Sequence, residues 1–455
     1  MAPEAFIILT FCIALPLFIM AREALFGQVF SLLFFYSLIF FVETAGGVIK
    51  AVFPGITRSG GALDEWLITQ TLFVTFFGYL LFLIGYFVSG RITRPTFSES
   101  SKMVWNYRYF TFLFAAMLVV LAVGLYPIYQ RVVTAGGIRA FLDTAYLYRF
   151  GTFAESDQQS ALLAFANMFS ACSRGLVGLG VLAWIRGGLS AGEQRLLVLA
   201  IALLFLKESA TMLRSSVLFT AVALLAIYYS DRRLPLRKIA TIAIALAAVL
   251  VALNVLHQHL YTATAGWERQ TFAETVGGLL APHAHFQTLA ATVERVQGSG
   301  QTLGGRGLVE SVFFFVPRVF WESKLPASEF GTQLIQAWLE VPTWYQMAVT
   351  NTGELVAHFG YLGMFGLLIY GGFYGYFDSF RRRGPELQVA LYCMLLPRVL
   401  VDAGMGISAF SNTLLGLAMF LGMTKALSFL AGPVTQQLVS PSSDHPDLII
   451  AESEK

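Results

Sequence analysis

The chain has 455 residues, of which 56% are apolar, 15% are aromatic and only 13% are charged. Soluble proteins carry roughly 25% charged residues, so this chain lacks the charge to cover a folded surface in water, and its composition excludes a soluble enzyme. The mean hydropathy of +0.68 is typical of a protein whose outer surface meets lipid. The formal net charge of +3 is too balanced to indicate nucleic acid as a partner.

Apolar runs long enough to cross a bilayer recur along the chain. A hydrocarbon core of about 30 Å needs roughly 20 apolar residues in a helix. The predicted spans are residues 5–21, 28–49, 66–89, 109–129, 161–185, a pair within 195–229, 239–256, 354–380, 387–402 and 408–427. An acid, Glu4, stands where a signal peptide would carry a basic residue, so we expect the first run to be a retained helix. The pattern predicts an all-α integral membrane protein with about 11 transmembrane helices.

The prediction of two helices within 195–229 follows from the length of this run. As one helix these residues would measure about 52 Å, far more than the membrane core. Lys207, Glu208 and Arg214 also lie in the middle of the run. We therefore predict two short helices that meet at a polar hairpin, whose charges lie near the outer lipid boundary or in a water-filled cavity.

Basic residues fix the predicted orientation, because short cytoplasmic loops collect Lys and Arg. Four connections on the same side of the predicted membrane domain are basic, around residues 91–108, 186–195, 232–238 and 381–383. The N-terminus is then outside, and two long loops, 130–160 and 258–351, also face outward. We predict one polytopic domain over residues 1–430, followed by a disordered cytoplasmic tail over 431–455.

The sequence offers no motif for a nucleotide or a metal. It contains no phosphate-binding loop, no HExxH and no GxGxxG followed by an acidic residue. The three cysteines, Cys12, Cys172 and Cys393, fall inside apolar runs without metal-ligand spacing, which is typical of buried thiols. We therefore expect no cofactor and no metal.

Charged groups at the membrane boundary are the candidate site residues, because they are costly there and usually functional. Arg214 begins a predicted helix, where its charge and the free backbone N–H groups suit a phosphate; alternatively it reaches lipid headgroups or pairs with Glu208. Arg318 and Lys324 lie among aromatic residues and prolines in the long outward loop. That segment reads as lying on the outer leaflet, and it could equally be a membrane-surface anchor.

Two further pairs have helical i, i+4 spacing. Glu354 and His358 share one face just inside the outer boundary, where they could accept a proton from a sugar hydroxyl; alternatively they pair and cap the helix. Arg398 and Asp402 lie near the outer end of the predicted tenth helix, where an intrahelical salt bridge is the simpler interpretation.

Three segments together resemble the bacterial O-antigen polymerases (Wzy, oligosaccharide repeat-unit polymerases). They are the hairpin that ends at Arg214, a PRxxWxxK-like segment at 317–324 and a TxTGExxxxFGxxG string at 350–363. Their order and the long outward loop also match that group. The hairpin departs from the usual pattern, because its arginine follows Met212 and Leu213 rather than Gly-Ser or Gly-Thr.

The resemblance implies an inverting, metal-independent glycosyltransferase with a GT-C-like architecture and a large, partly helical periplasmic loop in the bacterial inner membrane. Such enzymes transfer the growing glycan from one undecaprenyl diphosphate carrier to the terminal sugar of another carrier-linked repeat unit, and act with a chain-length regulator protein. On this basis Arg214, Arg318, Lys324 and Arg398 are expected around the donor diphosphate. Glu354 or His358 is the expected base, with Glu354 preferred. Second-rank contacts are Arg269, Arg306, Asp402 and His283.

Three alternatives stay open on the sequence. An O-antigen ligase would share the architecture and the donor but transfer finished glycan to a lipid A core. A peptidoglycan glycosyltransferase of the shape-and-division type is a weaker alternative, because the sequence has no strong match to its motifs. A lipid-linked sugar transporter or flippase would also carry charges in the membrane. The sequence shows no inverted repeat of the kind that transporters have, and its polar residues concentrate at the outer boundary.

Overall fold

Every regular element in the described part of the chain is a helix. The computed structural model describes residues 2–26, 28, 30–52, 63–92, 107–137, 140, 161–185, 189–210, 214–229, 235, 237–242, 244–245, 248, 251–252, 285–313, 321, 332–340, 349–379, 389–392, 394–396, 399 and 408–431. The first helices are α1 (Pro3–Leu25), α2 (Leu32–Val52), α3 (Glu65–Ile92), α4 (Tyr107–Thr134), α5 (Ala161–Ile185), α6 (Ala191–Ala210) and α7 (Arg214–Tyr228). They are followed by α8 (His285–Ser299), α9 (Arg306–Val312), α10 (Thr332–Trp338), α11 (Asn351–Phe359), a 3₁₀ turn (Gly360–Phe365), α12 (Gly366–Asp378) and α13 (Ser408–Ala431).

Five stretches are long and apolar enough to cross a membrane, judged by length and composition. They are Pro3–Leu25, Leu32–Ile49, Glu65–Gly90, Tyr109–Thr134 and Asn351–Asp378. Shorter apolar helices lie at Cys172–Ile185, Val217–Tyr228 and Leu414–Leu430. Many large apolar side chains on these helices are exposed, among them Phe18 at 66% and Ile369 at 79%. This outer surface suits contact with lipid, as the composition predicts.

The helices pack in two groups. One group contains α1, α2, α3, α8, α11 and α12, and the other contains α4, α5, α6, α7 and α13. A single cluster of buried apolar residues runs through both groups. The short helix α9 contacts both α11 and α13, so it joins the two groups.

Helices α3 and α12 pack unusually closely and in parallel. A Cβ atom added to Gly371 would lie 2.0 Å from the carbonyl oxygen of Phe82, so only glycine allows this approach. The contacts run in the same order along both helices: Gly78 with Leu367, Phe82 with Gly371, and Tyr86 with Gly375. Small residues at such a seam are characteristic of helix pairs in membranes. Two helices cross a membrane in the same direction only when an odd number of spans lies between them in the chain. The predicted topology meets this condition.

The end of this group farthest from α11 is tied together by Asp378. The backbone N–H of Leu32 donates a hydrogen bond to Asp378 Oδ1 at 3.2 Å, and the hydroxyl of Tyr86 donates to Asp378 Oδ2. The start of α2 and the ends of α3 and α12 therefore meet there. The opposite end, where α2 finishes and α3 and α11 begin, contains the pocket described below.

The run predicted as one span over 354–380 is a broken helix. Helix α11 begins three residues earlier than predicted, because the Thr350 side chain caps it by accepting a hydrogen bond from the Gly353 N–H at 3.0 Å. It ends at Gly360, whose φ of +64° favours glycine and whose N–H bonds back to Val356. The 3₁₀ turn then leads into α12. Hydropathy alone did not reveal this break, because both halves are apolar.

The hairpin prediction within 195–229 is confirmed at the level of helices. Helix α6 ends at Ala210, α7 begins at Arg214, and the two pack against each other. The predicted outward loop 258–351 contains α8, α9 and α10, so it is partly helical as expected. Helix α4 continues to Thr134, into the loop predicted from residue 130. The tail beyond residue 431 lies outside the described residues.

Candidate functional site

Polar side chains converge where α11 begins. Every residue of α11 from Asn351 to His358 is buried, although the helix carries a carboxylic acid and an imidazole. Buried polar groups are costly unless they are satisfied, so a helix of this kind is unusual outside a site. Its first turn faces α2, α3 and α8 across a pocket.

The pocket opens between four helices. The empty space between its lining residues, including the open mouth, is about 480 Å³. Most of its lining surface is apolar and part is polar. The lining residues are Tyr36, Phe40, Glu43 and Thr44 from α2, Thr75 from α3, His285, Phe286 and Leu289 from α8, and Thr350, Asn351 and Thr352 at the start of α11.

Glu43 and His285 form an acid–imidazole pair in this pocket. Glu43 Oε1 lies 3.7 Å from His285 Nδ1, and the two side chains are 17% and 4% exposed. This distance exceeds a hydrogen bond, yet it leaves both atoms close enough to contact one shared group. The pair therefore combines a hydrogen-bond acceptor with a group that can donate or accept.

Asn351 adds an amide with unused hydrogen-bonding capacity. The residue is only 1% exposed, and neither its Oδ1 nor its Nδ2 has a partner among the described residues. A buried amide left without hydrogen bonds costs of the order of 1–3 kcal/mol. The pocket therefore contains a donor and an acceptor, side by side, that a bound molecule can satisfy.

The predicted base candidates lie near this pocket but do not line it. Glu354 is 1% exposed and His358 is fully buried. A Cβ on Gly307 would lie 3.0 Å from His358 Cε1, so the imidazole faces α9. Neither ring nitrogen of His358 has a hydrogen-bond partner within the described part of the chain. The alternative in which Glu354 and His358 pair is therefore not seen, and Thr350 supplies the cap.

A second polar cluster lies between α5, α6 and α7. Glu208 Oε2 accepts a hydrogen bond from Arg174 Nη2 at 2.7 Å, and Glu208 Oε1 lies 3.2 Å from Lys207 Nζ. Arg174 Nε also donates to Thr220, and Lys207 donates to Ser173. Glu208 and Lys207 are both almost fully buried. The Glu208 contacts that the structure describes are thus to Arg174 and Lys207, next to the start of α7.

Several predicted site residues have a limited structural description. Arg214 is the first residue of α7, and its side chain is outside the described part. Arg306 pairs within α9 with the buried Glu310, at 2.6 Å, and stays 60% exposed. Six others lie outside the described residues: Arg269, His283, Arg318, Lys324, Arg398 and Asp402. Their roles remain predictions.

The sequence reasoning missed Glu43, His285 and Arg174 as site candidates. Glu43 and Arg174 carried a usable signal, since each is an ionisable residue inside a predicted span. His285 carried none, because nothing in the sequence places α8 over α2. Within the described ranges no group of three His, Cys, Asp or Glu side chains is arranged to hold a metal ion.

No protein-family model matches the chain, and no curated protein or solved structure matches it. The resemblance to O-antigen polymerases therefore depends on the three motifs given above, and function is argued from the site.

Proposed function

We propose that this protein is a membrane glycosyltransferase that polymerises oligosaccharide repeat units carried on undecaprenyl diphosphate. The observation that carries the proposal is the pocket at the start of α11, where Glu43, His285 and Asn351 place hydrogen-bonding groups at one end of an apolar bundle. Sugars need such a polar cavity, whereas the carrier tail needs lipid. The string resembling the polymerase motif, residues 350–363, begins at the same place.

The reaction needs a good leaving group and a base. In the proposed step the acceptor hydroxyl attacks the anomeric carbon of the donor glycan from the face opposite the diphosphate. The bond between that carbon and the carrier diphosphate breaks, and the diphosphate leaves with the electron pair. The hydroxyl proton passes to the base, for which Glu354 is preferred over His358.

Cations stabilise the charge that grows on the departing diphosphate. The proposed set is Arg214, Arg318, Lys324 and Arg398, because bidentate guanidinium contacts suit phosphate oxygens and lysine adds a compact charge. Support comes from the polar cluster of Arg174, Lys207 and Glu208, which brings two cations and one anion beside the start of α7. Arg214 begins that helix.

The proposal includes a membrane topology and a place in the cell. It retains 11 spans and a GT-C-like arrangement in the bacterial inner membrane, with the N-terminus and the pocket on the periplasmic side and the C-terminus in the cytoplasm. The parallel packing of α3 and α12 is consistent with that count. A chain-length regulator of the same membrane is the proposed protein partner.

A reconstituted reaction tests this function. The purified protein is incubated with undecaprenyl-diphosphate-linked repeat units alone, without metal, and the products are resolved by gel electrophoresis. A ladder of glycans that differ by one repeat unit is expected. If no ladder forms and glycan is transferred only after lipid A core is added, the protein is a ligase instead. Movement of the lipid-linked sugar across a vesicle membrane without any new bond would identify a flippase.

A further inference from the structure

We infer that the pocket between α2, α3, α8 and α11 is a saccharide subsite, in which Glu43, His285 and Asn351 hydrogen-bond the hydroxyls of one sugar ring. The identification of that ring as part of the repeat unit rests on the proposed function. The inference that the pocket takes a sugar ring rests on the pocket itself. Glu43 and His285 lie outside the motifs that suggested the function, and Asn351 occupies a variable position of the string at 350–363.

The spacing of Glu43 and His285 suits a hydroxyl group. The 3.7 Å between Glu43 Oε1 and His285 Nδ1 is too long for a direct hydrogen bond. One hydroxyl oxygen placed beside them can lie about 2.8 Å from both atoms. It then donates its proton toward the carboxylate and accepts a hydrogen bond from an Nδ1–H. A hydroxyl is the common group that donates and accepts in this way.

Asn351 provides the second contact. Its buried amide has a free donor and a free acceptor among the described residues, and both belong to a side chain that lines the pocket. Two neighbouring hydroxyls of a sugar can satisfy both at once, one as donor and one as acceptor. Binding then removes the cost of the unsatisfied amide, which gives the site a reason to favour a diol over an apolar molecule.

Aromatic residues supply a flat apolar wall. Tyr36 and Phe40 line the pocket and are held from behind by Tyr79, with ring centroids 6.2 and 4.1 Å away in stacked geometry. Phe286 also lines the pocket, and a Cβ on Gly47 would lie 2.3 Å from Phe286 Cβ, so α8 packs closely against α2. A sugar ring presents an apolar C–H face and polar edges, which matches this combination.

The lining of the pocket suits a neutral sugar better than the diphosphate. Glu43 is the acid among its lining residues, and it offers no positive charge to a phosphate. No Lys or Arg is among the lining residues that the structure describes. The neutral sugar is therefore the part of the substrate that fits, and the cations proposed for the diphosphate lie elsewhere.

Binding of free monosaccharides tests the inference. The full chain in detergent micelles is examined by saturation-transfer-difference NMR with glucose, galactose, N-acetylglucosamine and rhamnose as probes, and with glycerol as a polyol that has no ring. At least one monosaccharide is expected to give a stronger signal than glycerol. Its affinity is expected to fall about tenfold in Asn351→Asp and in Glu43→Gln, as for loss of one or two hydrogen bonds.

Controls separate a local effect from misfolding. Both substitutions keep the side-chain size, and each variant is required to elute as a monodisperse peak in size-exclusion chromatography. Thr75→Val, from a third helix, is the substitute if either fails. Glu294→Gln, on the exposed face of α8, is the matched control and should bind like the unaltered protein. If no monosaccharide exceeds glycerol, or if the variants bind as the unaltered protein does, the inference is overturned.

The polymerisation assay is run together with the binding assay, so that failure of the subsite inference and failure of the proposed function give different results. A ladder with variants that bind saccharide normally overturns the subsite and leaves the proposed function intact. Absence of a ladder with saccharide binding that depends on Asn351 overturns the polymerase proposal and supports the subsite.

Discussion

Glu208 holds one buried and one partly buried cation in the second polar cluster. Its two carboxylate oxygens contact Arg174 and Lys207 separately, so the acid is shared rather than paired with one partner. Burying charges is expensive, and such a cluster is stable only while each charge keeps its partner. The cluster therefore makes the packing of α5 against α6 depend on one carboxylate.

We expect Glu208→Ala to destabilise the protein by about 3–5 kcal/mol, because it leaves the buried Lys207 and the partly buried Arg174 without their counter-charge. Thermal unfolding of the purified protein in detergent measures the effect as a lower midpoint temperature. The exposed Glu294→Ala removes a similar carboxylate and should leave the midpoint nearly unchanged. Equal midpoints for the two variants would contradict the structural role of the cluster.

The base assignment makes a second prediction at the residue scale. The double variant Glu354→Gln, His358→Ala is expected to lose polymerisation by about 10²–10⁴-fold, the usual contribution of general base catalysis. Ladder formation from carrier-linked repeat units is the measurement. Because His358 is fully buried and its replacement leaves a cavity, the single variant Glu354→Gln is measured as well. Normal ladders from the folded double variant would remove both residues from catalysis.

At the scale of elements, the α3–α12 seam is the tightest contact described here. Backbone meets backbone because Gly371 and Gly375 have no side chain to separate the helices. Membrane helices gain little from the hydrophobic effect when they associate, so close packing has to supply the attraction. The seam therefore holds α12, and with it the broken segment that carries α11, in a fixed position beside α3.

We expect Gly371→Ala to destabilise the protein by at least 1–3 kcal/mol, roughly the cost of overpacking, since the new Cβ would lie 2.0 Å from the Phe82 carbonyl oxygen. Gly422→Ala in α13 is the matched control, because nothing lies within 4 Å of its Cβ position. That control should be neutral or gain about 0.5–1 kcal/mol from helix propensity. Thermal midpoints of the two variants decide, and a smaller loss for Gly371→Ala than for Gly422→Ala would contradict the close packing.

Hydropathy and charge predicted most of the helices but few of the contacts. The helices α1 to α5 appear close to the positions of the predicted spans, because a long apolar run in a bilayer has one stable backbone solution. The sequence did not predict the helix break at Gly360, because the break is set by one backbone conformation rather than by composition. The sequence also did not predict two ionisable pairs, Arg174 with Glu208 and Glu43 with His285. Both pairs depend on which helices become neighbours.

At the scale of the whole molecule, the topology is the property to test. We expect a cysteine at Ser299, at the end of α8, to react with a membrane-impermeant maleimide in intact spheroplasts. A cysteine at Ala191, at the start of α6, should react only after permeabilisation. Both positions are exposed. Because Cys12 and Cys172 are fully buried, replacing Cys393 with serine leaves little reaction of native cysteines with the maleimide. Labelling of Ala191→Cys from outside would invert the proposed orientation.

Asp378 has a mechanical consequence for the bundle. By bonding Leu32 at the start of α2 and Tyr86 in the second half of α3, it joins three helices at the end opposite the pocket. Helices that are bonded together at one end are held closest at that end, and their separation can grow along their length. Any relative motion of these helices is therefore expected to be smallest near Asp378 and larger at the pocket between α2 and α11.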